Sequence, residues 1–257
     1  MIRNGLPTGT LTFLFTDIEG STRLLVRLGE RFPDVLETHQ RLLRGAFSAG
    51  HEVGTEGDSF FVVFRSAVDA VVAAVEAQRT LASHTWPENV TVRIRIGLHT
   101  GEGKLGGDNY VGLDVHRAAR IKAVAHGGQV LLSDATRGLV ASQLPAGVDI
   151  LDLGEHRLRD LVAPERIHQL VIADLPSVFP APSTLATRPN NLPRPLTVLH
   201  GRDEDRRRIG DILASAPLVT LTGPGGVGKT CLALAGARAR QARPAAGGWW
   251  LPLAPIA

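Results

Sequence analysis

An α+β fold is what this sequence predicts, and three observations predict it. A β-branched and aromatic run, "TLTFLFTDI" (10–18), is followed from Ser21 by apolar residues at helical spacing: Leu25, Leu28, Phe32, Val35, Leu36, Leu42, Leu43 and Phe47. "HEVGTEGDSFFVVF" (51–64) reads as two short strands about a Glu-Gly-Asp turn. "VTVRIRIGLHTG" (90–101) alternates like a half-buried strand.

The remaining elements follow in order. Pro33 lacks a backbone donor and so divides the first helical stretch into two helices or a kinked one. Ser66, with Asp69 three residues on, resembles a capping box opening a helix through Val68, Val71, Val72, Val75 and Leu81. "VGLDVHRAARIKAVA" (111–125) is a helix, "GGQVLLSDATRGLV" a short strand and another helix, and "DILDLGEHRL" and "RIHQLVIADL" two last strands. A β-α-ββ-α-β order with its helices on one side of a sheet predicts a ferredoxin-like core with extensions.

Composition bounds the rest. At 257 residues the chain suits one domain plus part of another, or two small ones. The single Cys231 excludes an intrachain disulfide and points to a reducing, cytoplasmic setting. No stretch approaches the ~18 uncharged apolar residues of a membrane span, and the first residues show no signal-peptide core, so no membrane partner is expected. Residues 1–175 carry 18 Lys and Arg against 21 Asp and Glu, a net of −3, whereas residues 176–257 carry 10 against 4, a net of +6. The basic excess of the tail, centred on Arg206, Arg207 and Arg208, reads as a solvated helical face, and no direct nucleic-acid binding is expected.

The predicted organisation is a domain over 8–175, a Pro-rich linker over 176–200, and a partial α/β unit over 201–257. The last unit holds a helix start ("GRDEDRRRIGDILA"), a strand ("PLVTLTG", 217–223), a phosphate loop, a helix ("TCLALAGARARQA") and a final strand ("GGWWLPLAP"). Gly223, Gly228, Lys229 and Thr230 fit G-x-x-x-x-G-K-[ST], in which glycine N–H groups wrap phosphates, the lysine bridges them and the hydroxyl reaches Mg²⁺. Only 27 residues follow Thr230, so a complete ATPase sheet is not expected; a natural truncation and a fragment of a longer protein both remain open.

Two acids carry the candidate chemistry. Alone, Asp17 reads as a turn or cap residue and Asp58 as a Gly-Asp hairpin turn. In a ferredoxin-like sheet, however, the end of the first strand and the tip of that hairpin are neighbours, so the two carboxylates can converge on one or two hard divalent cations. Backbone N–H groups at Glu19, Gly20, Ser21 and Thr22, where a helix opens, suit phosphate oxygens.

"LTFLFTDIEGSTRL" (11–24), "EGDSFFVVF" (56–64), "RIGLHTGE" (95–102), "NYVGLDVHRAARI" (109–121) and "LGEHRLRDL" (153–161), in this order and spacing, resemble the class III adenylate/guanylate cyclase catalytic domain over about residues 8–173. The nearest resemblance is to the actinobacterial branch fused to signalling ATPases, as in cyclase-containing LuxR-type regulators, with the ATPase part truncated here. The resemblance implies a ferredoxin-like cyclase domain that converts ATP or GTP to a cyclic 3′,5′-nucleotide and pyrophosphate. It implies two Mg²⁺ or Mn²⁺ ions per site, held by Asp17, Asp58 and the carbonyl of Ile18. It implies a head-to-tail homodimer with shared sites, Arg120 as the transition-state arginine, and Arg159 near a triphosphate-binding lysine position.

Three positions depart from that family's pattern. Gly54 stands where cyclases carry the adenine-reading lysine, Asn109 where they carry a base-reading aspartate, and His116 where they carry a ribose-orienting asparagine. Each lost partner to the base weakens discrimination by about 1–3 kcal/mol. His116 either donates one hydrogen bond to the ribose or fills the dimer interface. Glu56 reads as a solvated turn residue and His99 as a satisfied core or interface histidine. The expectation is an intracellular signalling cyclase of weak or relaxed base specificity; the alternative is a silent cyclase-like dimerisation or nucleotide-sensing module.

Overall fold

β1 (Gly9–Ile18) serves two cores at once, because alternate side chains of a strand point to opposite faces. Leu14 and Ile18 enter one buried cluster, Leu11 and Phe13 another. In a computed structural model of the protein, which describes residues 6–184, 202–216, 218–240 and 250–251, the chain divides into two compact units, Met1–Ser183 and Thr184–Ala257.

In the first unit, α1 (Ser21–Leu28), a single 3₁₀ turn and α2 (Phe32–Ala46) follow β1. The break falls at Gly29, whose φ of 53° ends α1, and Pro33 sits in the first turn of α2, where its missing N–H costs nothing. β2 (His51–Glu56) and β3 (Ser59–Phe64) form the expected hairpin. α3 (Ala67–Ser83) opens on the predicted cap, the Ser66 hydroxyl accepting the Asp69 N–H at 3.2 Å. β4 (Ile94–Gly106), β5 (Asn109–Val111), α4 (Leu113–Val124), β6 (Val130–Ser133), α5 (Asp134–Val140), β7 (Val148–His156) and β8 (Glu165–Ile172) complete it.

The sheet order is β2-β3-β1-β4-β6-β8-β7, with β5 paired to β4. Its first four strands are antiparallel neighbours, and the cluster under α1, α2 and α3 lies on one face. This is the predicted ferredoxin-like core; β6 joins it parallel to β4 and carries the extension.

In the sheet of the first unit, two sequence expectations change. Helices do not lie on one side alone: Val115 and Ala118 of α4 pack with Leu11, Phe13 and Tyr110, and Ile121 and Val124 with Leu131 and Ile167, so α4 covers the opposite face. For the same reason β4 is buried on both faces through its middle rather than half-buried. Gly97 makes the approach possible, since a Cβ there would stand 2.3 Å from the Lys122 backbone nitrogen. Among the described residues, no helix is long and apolar enough to cross a membrane.

Beyond β8, the first unit runs on to Ser183, bonded to β8 and to the end of α4. The Gln169 amide donates to the Ser177 carbonyl at 2.8 Å, and the Ser183 N–H to the Val124 carbonyl at 3.0 Å. In the second unit, α6 (Asp203–Ser215) and α7 (Lys229–Arg240) form where helices were expected. Residues 218–224 are not a strand, which corrects the expectation for 217–223: a strand needs a neighbour to take its backbone bonds, and none pairs with it among the described residues. The expected final strand lies largely outside the described residues, as does most of the expected linker.

Candidate active site

The site is assembled where β1 ends. Asp17 and Ile18 are its last two residues, and the β2–β3 turn brings Asp58 alongside, its Oδ2 accepting the Ile18 N–H at 2.7 Å. That turn is held from beneath by α2. Gln40 Nε2 donates to the Gly57 carbonyl at 2.8 Å, and His39 Nε2 lies 3.2 Å from the Asp58 carbonyl. Burial pushes the His39 imidazole below its usual range, against the raising pull of that carbonyl bond and the Asp58 charge. The ring is therefore neutral near pH 7, with Nε2–H the donor and Nδ1 a buried acceptor with no protein partner among the described residues.

Asp17 is held differently. Cross-strand register sets it opposite Arg95 of β4. The guanidinium forks onto both its oxygens, Nε to Oδ1 at 2.6 Å and an Nη to Oδ2 at 2.7 Å. Lys122 Nζ of α4 reaches the same Oδ2 at 2.7 Å. Neither cation was read from the sequence as part of the site. Arg95 could have been found by pairing "TLTFLFTDI" antiparallel with "RIRIGLHTG"; Lys122 required the path of α4.

The first turn of α1 lies beside these acids. Gly20 takes φ 70°, no side chain caps the helix and no acid sits in its first turn, so its N-terminal end is left for an anion. The Glu19 N–H does not share in this, because it donates to the Arg93 carbonyl at 2.9 Å; the amides of Gly20, Ser21 and Thr22 remain as candidates.

Arg120 and Arg159 converge on one carboxylate. Arg120 pairs with Asp160 at 2.6 Å, and Arg159 approaches the same oxygen at 3.6 Å. Asp160 itself was not singled out in the sequence; its φ of 63° marks a tight turn between β7 and β8. Gly54 lies in β2 with open space where a side chain would stand, Asn109 begins β5 with its Oδ1 accepting the Tyr110 N–H, and His116 is exposed on α4. No hydrogen bond among the described residues links these three to the acidic pair. Glu56 is exposed at the end of β2. His99 is buried and bonded to Ser133 and Asp114, the satisfied histidine its sequence context suggested.

Carboxylate and carbonyl oxygens at Asp17, Ile18 and Asp58 are the donor set of a hard divalent ion. Arg95 and Lys122 already place two positive charges against Asp17, the charge such an ion would bring. Among the described residues no third His, Cys, Asp or Glu completes a cluster, so phosphate oxygens and water would supply the remaining ligands. In the second unit, Lys229 Nζ folds onto its own loop, donating to the Gly223 and Pro224 carbonyls at 2.8 and 2.7 Å. Gly228 there takes φ 86°, and Lys229 and Thr230 are the first two residues of α7.

A ferredoxin-like sheet extended by β6, β8 and β7, with paired acids at the end of β1 beside a helix N-terminus, defines a nucleotide cyclase type of domain. The sequence pattern described as the adenylate and guanylate cyclase catalytic domain matches residues 6–169, and the chain belongs to that family of enzymes. An uncharacterised protein of Mycobacterium tuberculosis is 39% identical over 201 residues, covering 76% of this chain and 68% of its own. The receptor-type adenylate cyclase GRESAG 4.3 of Trypanosoma brucei brucei is 30% identical over 208 residues, 64% of this chain but 17% of its own length. Among solved structures, a Trypanosoma brucei adenylate cyclase described in its monomeric state superposes with a TM-score of 0.59 at 29% identity, covering 66% of this chain and 92% of its own. The adenylyl cyclase CyaB of P. aeruginosa superposes with a TM-score of 0.53 at 25% identity, covering 65% and 96%.

Proposed function

We propose that this chain converts ATP or GTP to a cyclic 3′,5′-nucleotide and pyrophosphate, in a head-to-tail homodimer with two divalent ions per site. The 3′-hydroxyl gives its proton to solvent water, its oxygen forms a bond to the α-phosphorus, and the bond from that phosphorus to the oxygen bridging it to the β-phosphorus breaks, that oxygen leaving with the pyrophosphate. The carrying observation is the 2.7 Å bond from the Ile18 N–H to Asp58, which ties two acids from distant segments to one end of β1 in a chain of this family.

Each residue's part follows from its place. Asp17, Asp58 and the Ile18 carbonyl would hold Mg²⁺ or Mn²⁺, whose chemistry is to lower the hydroxyl's pKa and neutralise the triphosphate. The amides of Gly20, Ser21 and Thr22 would receive phosphate oxygens. Arg120, exchanging Asp160 for substrate, would stabilise charge on the pentavalent phosphorus, and Arg159 would meet the triphosphate. Gly54 and Asn109 offer the base neither an ammonium nor a carboxylate, which supports relaxed specificity between adenine and guanine; His116 would contact the ribose. The Gly223–Thr230 loop would serve as a phosphate loop outside the cyclase chemistry.

A second reading, a silent nucleotide-sensing or dimerisation module, is favoured by one observation: both oxygens of Asp17 are already engaged by Arg95 and Lys122. Incubating purified protein with Mn²⁺ and ATP or GTP, beside Asp17→Ala, separates the two. Cyclic nucleotide at least about 100-fold above the variant is expected for the enzyme, the scale of losing a main electrostatic group. Product equal to the variant's background would leave the silent module.

A further inference from the structure

The two cations on Asp17 are not equivalent. Arg95 is its cross-strand neighbour and binds both oxygens in a planar fork, so strand register and two parallel bonds hold it in place. Lys122 makes one bond, to Oδ2, from the end of a flexible four-carbon stem on α4. All three groups are mostly withdrawn from water, with side-chain exposures of 13% for Asp17, 27% for Arg95 and 17% for Lys122. Screening is correspondingly weaker than for a surface pair.

Charge makes the arrangement self-contained. Asp17 and Asp58 carry two negative charges, and Arg95 and Lys122 two positive ones. A divalent ion entering this cluster adds two charges to a site that is already neutral, and it must take Asp17 Oδ2 from the ammonium. Gly97 sets the geometry of that competition: only a residue without a side chain lets the α4 backbone at Lys122 sit against β4.

We infer that Lys122 is the exchangeable counter-ion of Asp17, a positioning residue that occupies the metal-facing carboxylate until a divalent ion displaces it, while Arg95 stays bound. This rests on the cyclase reading insofar as Asp17 is taken as a metal ligand. Its consequence concerns binding alone: the chain holds free divalent ions less tightly than its two acids would without the lysine, and the metal arrives best with a nucleotide whose negative charge offsets the surplus.

The test is a titration of the full chain with Mn²⁺ in the absence of nucleotide, reading free Mn²⁺ by its electron paramagnetic resonance signal. Wild type, Lys122→Gln, Lys122→Arg and Asp17→Ala are compared, with circular dichroism confirming that each is folded. Lys122→Gln should bind Mn²⁺ about fivefold more tightly than wild type, the equivalent of removing a ~1 kcal/mol competing pair. Lys122→Arg should stay near wild type and Asp17→Ala should lose the site. Binding in Lys122→Gln equal to or weaker than wild type would overturn the inference, as would equal tightening in Lys122→Arg, and wild-type turnover would leave the cyclase reading standing. If wild type and Lys122→Gln both bind no better than Asp17→Ala, this inference and the metal assignment fall together.

Discussion

His99 shows what burial does to a single side chain. Its Nδ1 lies 2.7 Å from the Ser133 hydroxyl and its Nε2 3.2 Å from Asp114, which also receives the Glu102 N–H and an Arg117 N–H. Desolvation pushes its pKa below the ordinary 6.5, outweighing the raising effect of Asp114; His39 is lowered by burial in the same way. Well above pH 6.5 folded and unfolded chains are alike at these positions. Below it the unfolded chain takes up protons that the folded one refuses, so stability falls with acidification. The thermal midpoint should therefore drop between pH 7.5 and 5.5, and His99→Gln should show a shallower drop; a midpoint that rises on acidification would contradict the assignment. On the proposed reaction, Arg120→Ala should lower kcat by about 100-fold or more with little change in KM, because the contribution proposed for it belongs to the transition state. Initial-rate kinetics over a range of nucleotide concentrations decide this. Asp17, Asp58 and Arg120 could be proposed from their local motifs, whereas Arg95, Lys122 and Asp160 could not, because each bonds a partner between 40 and 105 positions away.

Elements turn these residues into a site through two close approaches. α4 lies against β4 at Gly97, and the β2–β3 turn is bound to α2 through Gln40 and His39. Gly97→Ala would set a methyl 2.3 Å from backbone that cannot yield as a side-chain tip would. It should destabilise the fold by about 1–3 kcal/mol, the usual cost of overpacking. Denaturant unfolding measures this, and the same variant should weaken the Lys122–Asp17 contact. The strands of the first unit, though not the short β5, were readable from periodicity, as were the Ser66 cap and the division of the first helical stretch, which falls at Gly29 rather than at Pro33. The second covered face of the sheet was not: α4 reads as one helix among several, and only its packing on Leu11, Phe13 and Leu131 shows which side it takes.

For the molecule as a whole, the proposed sharing of sites across a homodimer makes a quantitative prediction. Asp17→Ala and Arg120→Ala, each inactive alone, should regain activity when mixed, because a mixed dimer holds one site with neither substitution. Half of the dimers formed at random are mixed and each has one intact site of two, so recovery should approach about a quarter of wild type, with a sedimentation profile showing dimer. No recovery in a mixture that does dimerise would reject shared sites. From its sequence alone this protein declared an α+β fold, most of the order of its elements, a cyclase family and the two acids that the fold brings together at the end of β1. Periodicity, turn chemistry and motif spacing are written in neighbouring residues. Only the tertiary structure decided that α4 closes the second face of the sheet, that residues 218–224 pair with no strand among those described, and that Asp17 is held by Arg95 and Lys122. Those outcomes depend on which distant surfaces exclude water together and which charges are thereby brought within 3 Å, and no local pattern encodes a distance across the fold.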